Sequence, residues 1–409
     1  MRLNLFRRDP ERTTGTIGSS SVPTELEQAR TAVFERSGWG LRMELFQPRN
    51  AAFWVFWGLV IAGTWNAITI LQSAVAPFAS AVTTNSLVLV LYAALFWWAT
   101  RAMDRYSTLP ISLVVHAFLW GATAATFFMA IYANDAILGL YGKTFGQRWA
   151  ADWAAGLTAP FTEEVSKGIG LVLLITLAPR IVRTTFDAFI LGAFLGLGFQ
   201  VVEDVLYVAQ TSGANFGAHP FLAGAETLVV RMATGVAGHI AYSAIFATGL
   251  FLLAGSPVQR RRVGLGVGLM VLAMAMHGLW DDLGALVGPL QAFNLVFIAI
   301  LTVIVVFVVF RVFRFAVRPE QEDLRTVLAP EVAAGLLSTD ELDAVVGTRR
   351  ARRRYVKAAG SRQERRRRRV LLTAIHDLAE ALPHVDDPDH IAFTRQEVTR
   401  VRNGGQQTA

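Results

Sequence analysis

The chain has 409 residues, 53% of them hydrophobic and only 17% charged, with a mean hydropathy of +0.42 and a formal net charge of +7. That balance excludes an ordinary soluble enzyme and describes a polytopic membrane protein. With no cysteine in the chain, disulfides, thiolate metal sites and a cysteine nucleophile drop out together.

The first fifty residues are polar and carry eight arginines, and they lack the apolar core of a signal peptide, so no cleaved leader is expected. Eight apolar segments follow, at 51–72, 86–103, 109–132, 152–178, 187–209, 222–254, 263–287 and 290–316. Each is long enough for a hydrocarbon core of about 30 Å. The sixth is overlong and reads as beginning with an interfacial turn. The connections alternate in charge. Those at 73–85, 210–221 and 288–289 hold no Lys or Arg, while others carry Arg101 and Arg105, Arg180 and Arg183, and Arg260, Arg261 and Arg262. Only Lys143 and Arg148, in the third connection, break the pattern. Basic loops stay in the cytoplasm. The expected fold is therefore all-α and multi-pass in the cell membrane, with eight transmembrane helices and both termini cytoplasmic.

This divides the chain into a cytoplasmic segment 1–50, a membrane domain 51–318 and a small helical cytoplasmic tail 319–409. The tail holds sixteen basic and fourteen acidic residues, starts a helix at Ser338-Thr339-Asp340-Glu341, and runs Arg365 to Arg369 without interruption. Its arginines read as a solvated or lipid-facing surface with anionic lipid as the partner. No nucleic-acid-binding signature accompanies them. Gly192-x-x-x-Gly196 and Gly264-x-x-x-Gly268 read as close helix packing.

Four apolar segments carry ionisable residues. The fourth has Glu163, Glu164 and Lys167, one of only three lysines. A charge at the centre of a span costs about 2.5–3.5 kcal/mol, so these three cost about 8–10 kcal/mol and demand polar partners from neighbouring helices. The fifth segment ends with Glu203 and Asp204, the sixth contains Arg231 and His239, and the seventh contains His277 and Asp281. Lys167 stands four residues from Glu163 and three from Glu164, and Asp281 four from His277, spacings that share a helix face. At 1.5 Å per residue these groups fall about 9–17 Å below the outer surface, a single polar layer.

Each has a plainer reading. Arg231 reads as an interfacial snorkelling residue. Asp204 and Asp282, beside better-placed carboxylates, read as wet or supporting; His116 reads as structural, and His219 as an outer-loop residue. Taken together, carboxylates and imidazoles without a cysteine suit activation of water, with Glu as proton acceptor and His and Asp on the oxyanion or leaving amine. Two His and one Glu binding zinc is the other route. Either one hydrolyses an amide at membrane depth.

At these residues the sequence resembles the PrsW family of intramembrane proteases, relatives of the larger CAAX-protease and bacteriocin-processing group, over roughly 140–290. The resemblance rests on Glu-Glu-x-x-Lys at 163–167, Phe-x-x-x-Glu-Asp at 199–204, Gly-His at 238–239 and His-x-x-x-Asp at 277–281, one motif per consecutive helix. It implies Glu163 as the water-activating carboxylate, Glu164 and Lys167 as its supporting neighbours, and His277 with Asp281 as the oxyanion-binding motif. Glu203 stands where the broader group has a histidine, as in the PrsW branch, and His239 supplies the imidazole. The implied substrate is a membrane-anchored protein, of the anti-sigma-factor type, cut at an extracytoplasmic site. Zinc on His239, His277 and Glu203 is one implied arrangement; the lack of compact H-E-x-x-H spacing favours a metal-free glutamate mechanism. A reading from a different class is a transporter whose Glu, His and Asp groups relay protons, for which inverted repeats are expected and none is found.

Overall fold

A computed structural model describes residues 24–106, 109–235, 238–288 and 293–404. Every regular element among them is helical. The chain opens with α1 (Thr24–Ser37), then α2 (Ala51–Val75) and α3 (Ala79–Met103), separated only by a 3₁₀ turn at Ala76–Phe78. Next come α4 (Ile111–Trp120), a π-helical stretch (Gly121–Ala130) and α5 (Ile131–Phe145) in one continuous rod. Through Gly146 this rod turns directly into α6 (Gln147–Leu177), and α7 (Thr185–Ser212) follows. The overlong apolar segment divides into α8 (Pro220–Thr234) and α9 (His239–Ala254). Then come α10 (Val263–Asp281) and α11 (Asn294–Ala333). The end of the chain forms α12 (Thr339–Val346), α13 (Arg349–Lys357), α14 (Arg362–Ala381) and α15 (Pro388–Arg402).

Among the described residues, six helical stretches are long and apolar enough to cross a membrane: 51–103, 111–145, 185–212, 220–254, 263–281 and 294–333. The protein is a multi-pass membrane protein. The first stretch, at 53 residues, is far longer than one crossing needs and bends at the 3₁₀ turn. Although 31 residues long, α6 is missing from the six, and it is the helix that carries Glu163, Glu164 and Lys167. Lys143 and Arg148, the exceptions in the charge pattern, sit at the tip of the α5–α6 hairpin, on helices that run beyond the segments expected from hydropathy.

The central post is α7. It opens with a capping box, Thr184 with Asp187, and every residue from Thr185 to Gln200 is buried. A helix apolar all round has to lie inside a bundle, and α7 packs against α3, α4, α8 and α9. Gly192 and Gly196 let α9 close on it, since a Cβ at either would collide with Ala247 or with the His239 carbonyl. The second glycine pair does not behave as expected. Gly264 and Gly268 face open space, and it is Gly266 that meets Gly249 on α9.

At the end of the bundle that holds α1 and α15, α11 passes residues 318–319 without a break and extends to Ala333. There α1 packs against it, with Arg30 donating to the Val327 carbonyl at 2.8 Å and to Glu331 at 2.9 Å. Arg395 of α15 reaches the same carboxylate at 2.7 Å. Arg105 and Tyr106, just after α3, both donate to the Gly347 carbonyl, and the His376 Nε2 lies 2.6 Å from the Arg105 carbonyl. The helix start at Ser338 is a capping box with Glu341.

Candidate active site

Two sequence features bring the ionisable residues together. Gly156 of α6 and Gly278 of α10 meet backbone to backbone, because a Cβ on Gly156 would collide with Asp282 and the Gly278 carbonyl. Asp282 secures the crossing by accepting from the Gly156 amide at 2.7 Å. It is buried and structural here, where its place near a helix end suggested a wet residue. This contact lays Glu163, two turns along α6, beside His277. On the other side, the α7–α9 approach at Gly196 places His239, the first residue of α9, against α7. Glu203 lies two turns further along α7.

All seven residues singled out in the sequence converge on this place. Glu163 Oε2 lies 3.8 Å from Lys167 Nζ, 3.6 Å from His239 Nδ1 and 3.8 Å from His277 Nε2. Lys167 donates to Glu164 Oε1 at 2.8 Å and to His239 Nδ1 at 3.1 Å, and its ammonium sits 3.9 Å above the Phe199 ring. An ammonium on Nδ1 leaves the His239 proton on Nε2, which donates to Glu203 Oε2 at 2.8 Å. His277 lies with Nε2 3.5 Å from Asp281 and Nδ1 3.6 Å from Glu164.

The two adjacent glutamates differ in what their oxygens do. Both oxygens of Glu164 are engaged, one by Lys167 and one by the Ser243 hydroxyl at 2.9 Å. Glu163 accepts from the Asn134 amide at 3.1 Å on Oε1, whereas its Oε2 is buried with no hydrogen-bond partner among the described residues. Glu163 lines a cavity of about 250 Å³, together with Glu203, His239, Tyr242, His277 and Asp281.

Arg231 departs from its expected role. It does not snorkel: its guanidinium lies 2.5 Å from Glu203, pairs with Asp204 and covers the Tyr207 ring at 4.1 Å. Asp204, expected to be wet or supporting, is buried in that pair and takes the supporting place. His116 holds the Ser112 carbonyl at 2.6 Å among Phe56 and Trp57, away from the cavity. His219 precedes α8, outside the site. Sequence reasoning passed over Asn134, Thr162, Tyr242 and Ser243, because uncharged polar residues in apolar helices are common and carry no strong signal. Thr162 donates to Asn134 and thereby fixes which end of that amide meets Glu163.

Glu163, Glu164, Glu203, Asp204 and Asp281 face only two permanent cations, Lys167 and Arg231. Such an imbalance in an apolar surrounding leaves room for a positive ligand. One atom each from Glu163, His239 and His277 lie within 4.8 Å of one another, a donor set of the zinc type. Carboxylates stand behind both imidazoles, Glu203 at His239 and Glu164 at His277, the arrangement that orients metal-binding histidines. These residues fit a divalent cation, with Glu163 as the third donor. Glu203, the third ligand expected from the sequence, sits on the far nitrogen of His239. The expectation against a metal rested on the ligands' dispersal over three helices, and that argument loses its force once the helices converge.

Residues 109–312 match the family model described as PrsW family intramembrane metalloprotease. No curated protein matches, and no solved structure does.

Proposed function

With residues 109–312 placing the chain in the PrsW family, an intramembrane protease family, we propose that the polar cavity is its hydrolytic centre and that Glu163 is the proton acceptor. The observation that carries this is the asymmetry of Glu163, a residue that lines the cavity: one oxygen is held by Asn134, and the other has no hydrogen-bond partner among the described residues and lies beside two imidazoles. Water reaching Oε2 gives up a proton there as its oxygen attacks the scissile carbonyl. His277, braced by Asp281 and Glu164, faces the same oxygen and suits the developing oxyanion. Lys167 and Glu164 neutralise each other and fix the turn of α6 that presents Glu163. His239 and Glu203 close the opposite wall, with Arg231 holding Glu203 in place.

Glu163, His239 and His277 would hold a divalent cation. Such an ion, when bound, polarises a carbonyl and lowers the pKa of its water. Lys167 contends for the same Nδ1 of His239, at 3.1 Å, which favours Glu163 as acceptor. Chelation is therefore expected to leave cleavage intact. Activity that tracks one equivalent of zinc, and is lost with that zinc in His239→Ala, would make Glu163 a ligand instead.

The substrate class we propose is a single-span, membrane-anchored protein cut toward the extracytoplasmic side. The arrangement is eight crossings, with the 53-residue stretch crossing twice and α6 crossing once. Both termini then lie in the cytoplasm, and the arginines of α13 and α14 face anionic lipid. Reporter fusions after residues 80, 215 and 288 should read outside, and those after 105, 182, 261 and 330 inside. A cytoplasmic signal at 215 would put the cavity in the wrong leaflet. The functional test is cleavage of a co-expressed library of single-span substrates by wild type and by Glu163→Ala in the same membranes. Loss of all cleavage in the variant supports the assignment, and equal cleavage removes it.

A further inference from the structure

Tyr242 is among the largest fully buried side chains of the protein, 1% exposed, and lies three residues after His239 on α9. Its ring stacks on His277, centroids 5.0 Å apart and planes 13° from parallel, and it lines the catalytic cavity. Its hydroxyl is buried without a hydrogen-bond partner among the described residues. A ring needed only for stacking is served as well by phenylalanine. Buried hydroxyls almost always find a partner, and one that does not calls for a reason. Tyr242 and Glu163 line the same cavity. A donor without an internal acceptor, on a ring rigidly stacked beside His277, is organised for an acceptor that arrives with the substrate.

Resting on the proteolytic reading above, we propose that Tyr242 is a catalytic residue whose O–H donates a hydrogen bond to the scissile carbonyl oxygen as it becomes an oxyanion. When the water oxygen bonds to the carbonyl carbon, the C=O π pair moves onto that oxygen, and the water proton goes to Glu163. Tyr242 keeps its proton and shares it with the oxyanion. On collapse the pair returns, the C–N bond breaks, and the amine nitrogen takes the proton from Glu163. The hydrogen bond is made most strongly in the transition state, so its loss falls on kcat rather than KM.

The test is Tyr242→Phe, which removes one oxygen and keeps the ring stacked on His277. The measurements are kcat, KM and Tm in one detergent, using the single-span substrate that wild type cleaves best in the co-expressed library. Losing one oxyanion donor lowers kcat about 100- to 1,000-fold. That loss is expected here with KM nearly unchanged and Tm unchanged or raised, since an unpaired buried hydroxyl has been removed. A structural role predicts the opposite, a lowered Tm with kcat kept. Tyr242→Leu, which also removes the stacking, should lower both. If wild type cleaves and Tyr242→Phe cleaves at a comparable rate, the assignment of the hydroxyl fails by itself. If wild type cleaves nothing in the library, the proteolytic reading fails and the assignment goes with it.

Discussion

Two buried ionic clusters in this protein look alike in composition and differ in how completely their atoms are used. Near the chain termini, Glu331 is 3% exposed and receives Arg30 from α1 and Arg395 from α15, with both oxygens engaged. In the cavity, Glu163 is equally buried, yet one of its oxygens is open, as are Asp281 Oδ2, His277 Nδ1 and the Tyr242 hydroxyl. The first cluster is saturated and joins three helices. The second leaves buried polar atoms unpaired, which is costly unless something else uses them. Burial of charge does not by itself separate structure from chemistry; here the cluster with unused hydrogen-bonding capacity is the one at the cavity.

Substitutions should separate the two clusters. In the cavity, His277→Ala and Asp281→Asn are expected to lower kcat about 100-fold or more, the usual loss for an oxyanion contact or its orienting group. Thermal melts of the same variants should move little, and a large drop in Tm would assign these residues to packing. Lys167→Ala should do both kinds of damage. It strands Glu164, which is 0% exposed, so stability falls by roughly 3–5 kcal/mol while cleavage is also lost. Glu331→Gln is the counterpart at the other cluster. It leaves the buried Arg30 with only the half-exposed Glu27 as a carboxylate partner, at 3.2 Å, so denaturant unfolding should show a loss below the roughly 3–5 kcal/mol of a fully stranded charge, with kcat at its wild-type level. A Glu331→Gln protein that folds normally and cleaves slowly would erase the distinction.

The smallest effect concerns the contact between the tail and the loop after α3. Burial of His376 works against its charged form, but the Glu380 carboxylate and the Arg105 carbonyl outweigh it and raise the pKa above the ordinary value. A raised folded-state pKa stabilises the contact fully below the unfolded value near 6.5, and the benefit is lost as pH rises through the folded value. Protection factors of the backbone amides at residues 104–106, corrected for the intrinsic base-catalysed rate, should therefore fall toward alkaline pH in wild type. His376→Gln should flatten that fall, and an unchanged slope would show that the contact does not titrate.

Much of this architecture was legible in the residues. Long apolar runs and the placement of arginine announced a helical membrane protein, because each charge in a span is expensive. The same expense made Glu163, Glu164, Lys167, Glu203, His239, His277 and Asp281 conspicuous, and the structure brings all seven together, with Glu163, Glu203, His239, His277 and Asp281 lining the cavity. What could not be read depended on how helices meet. The partners of Arg231 lie on α7, across a helix contact that hydropathy does not register. Asn134 lies on α5, outside every motif, and owes its role to the α5–α6 hairpin that lays it against Glu163. Tyr242 and Ser243 are unremarkable in sequence, and only their distances to His277 and Glu164 distinguish them. Gly264 and Gly268 carry a packing motif and pack against nothing, since the motif fixes spacing and not which face meets a neighbour.

The most direct measurement is cleavage of one single-span substrate in ¹⁸O-labelled water, by wild type and Glu163→Gln in identical membranes, read by mass spectrometry of the new C-terminus. Wild type should release a fragment whose new carboxyl carries the label, and Glu163→Gln, folded and equally abundant, should release none. A Glu163→Gln protein that yields labelled fragment at a near wild-type rate would contradict the account, and the proton-relay reading of the cavity would take its place.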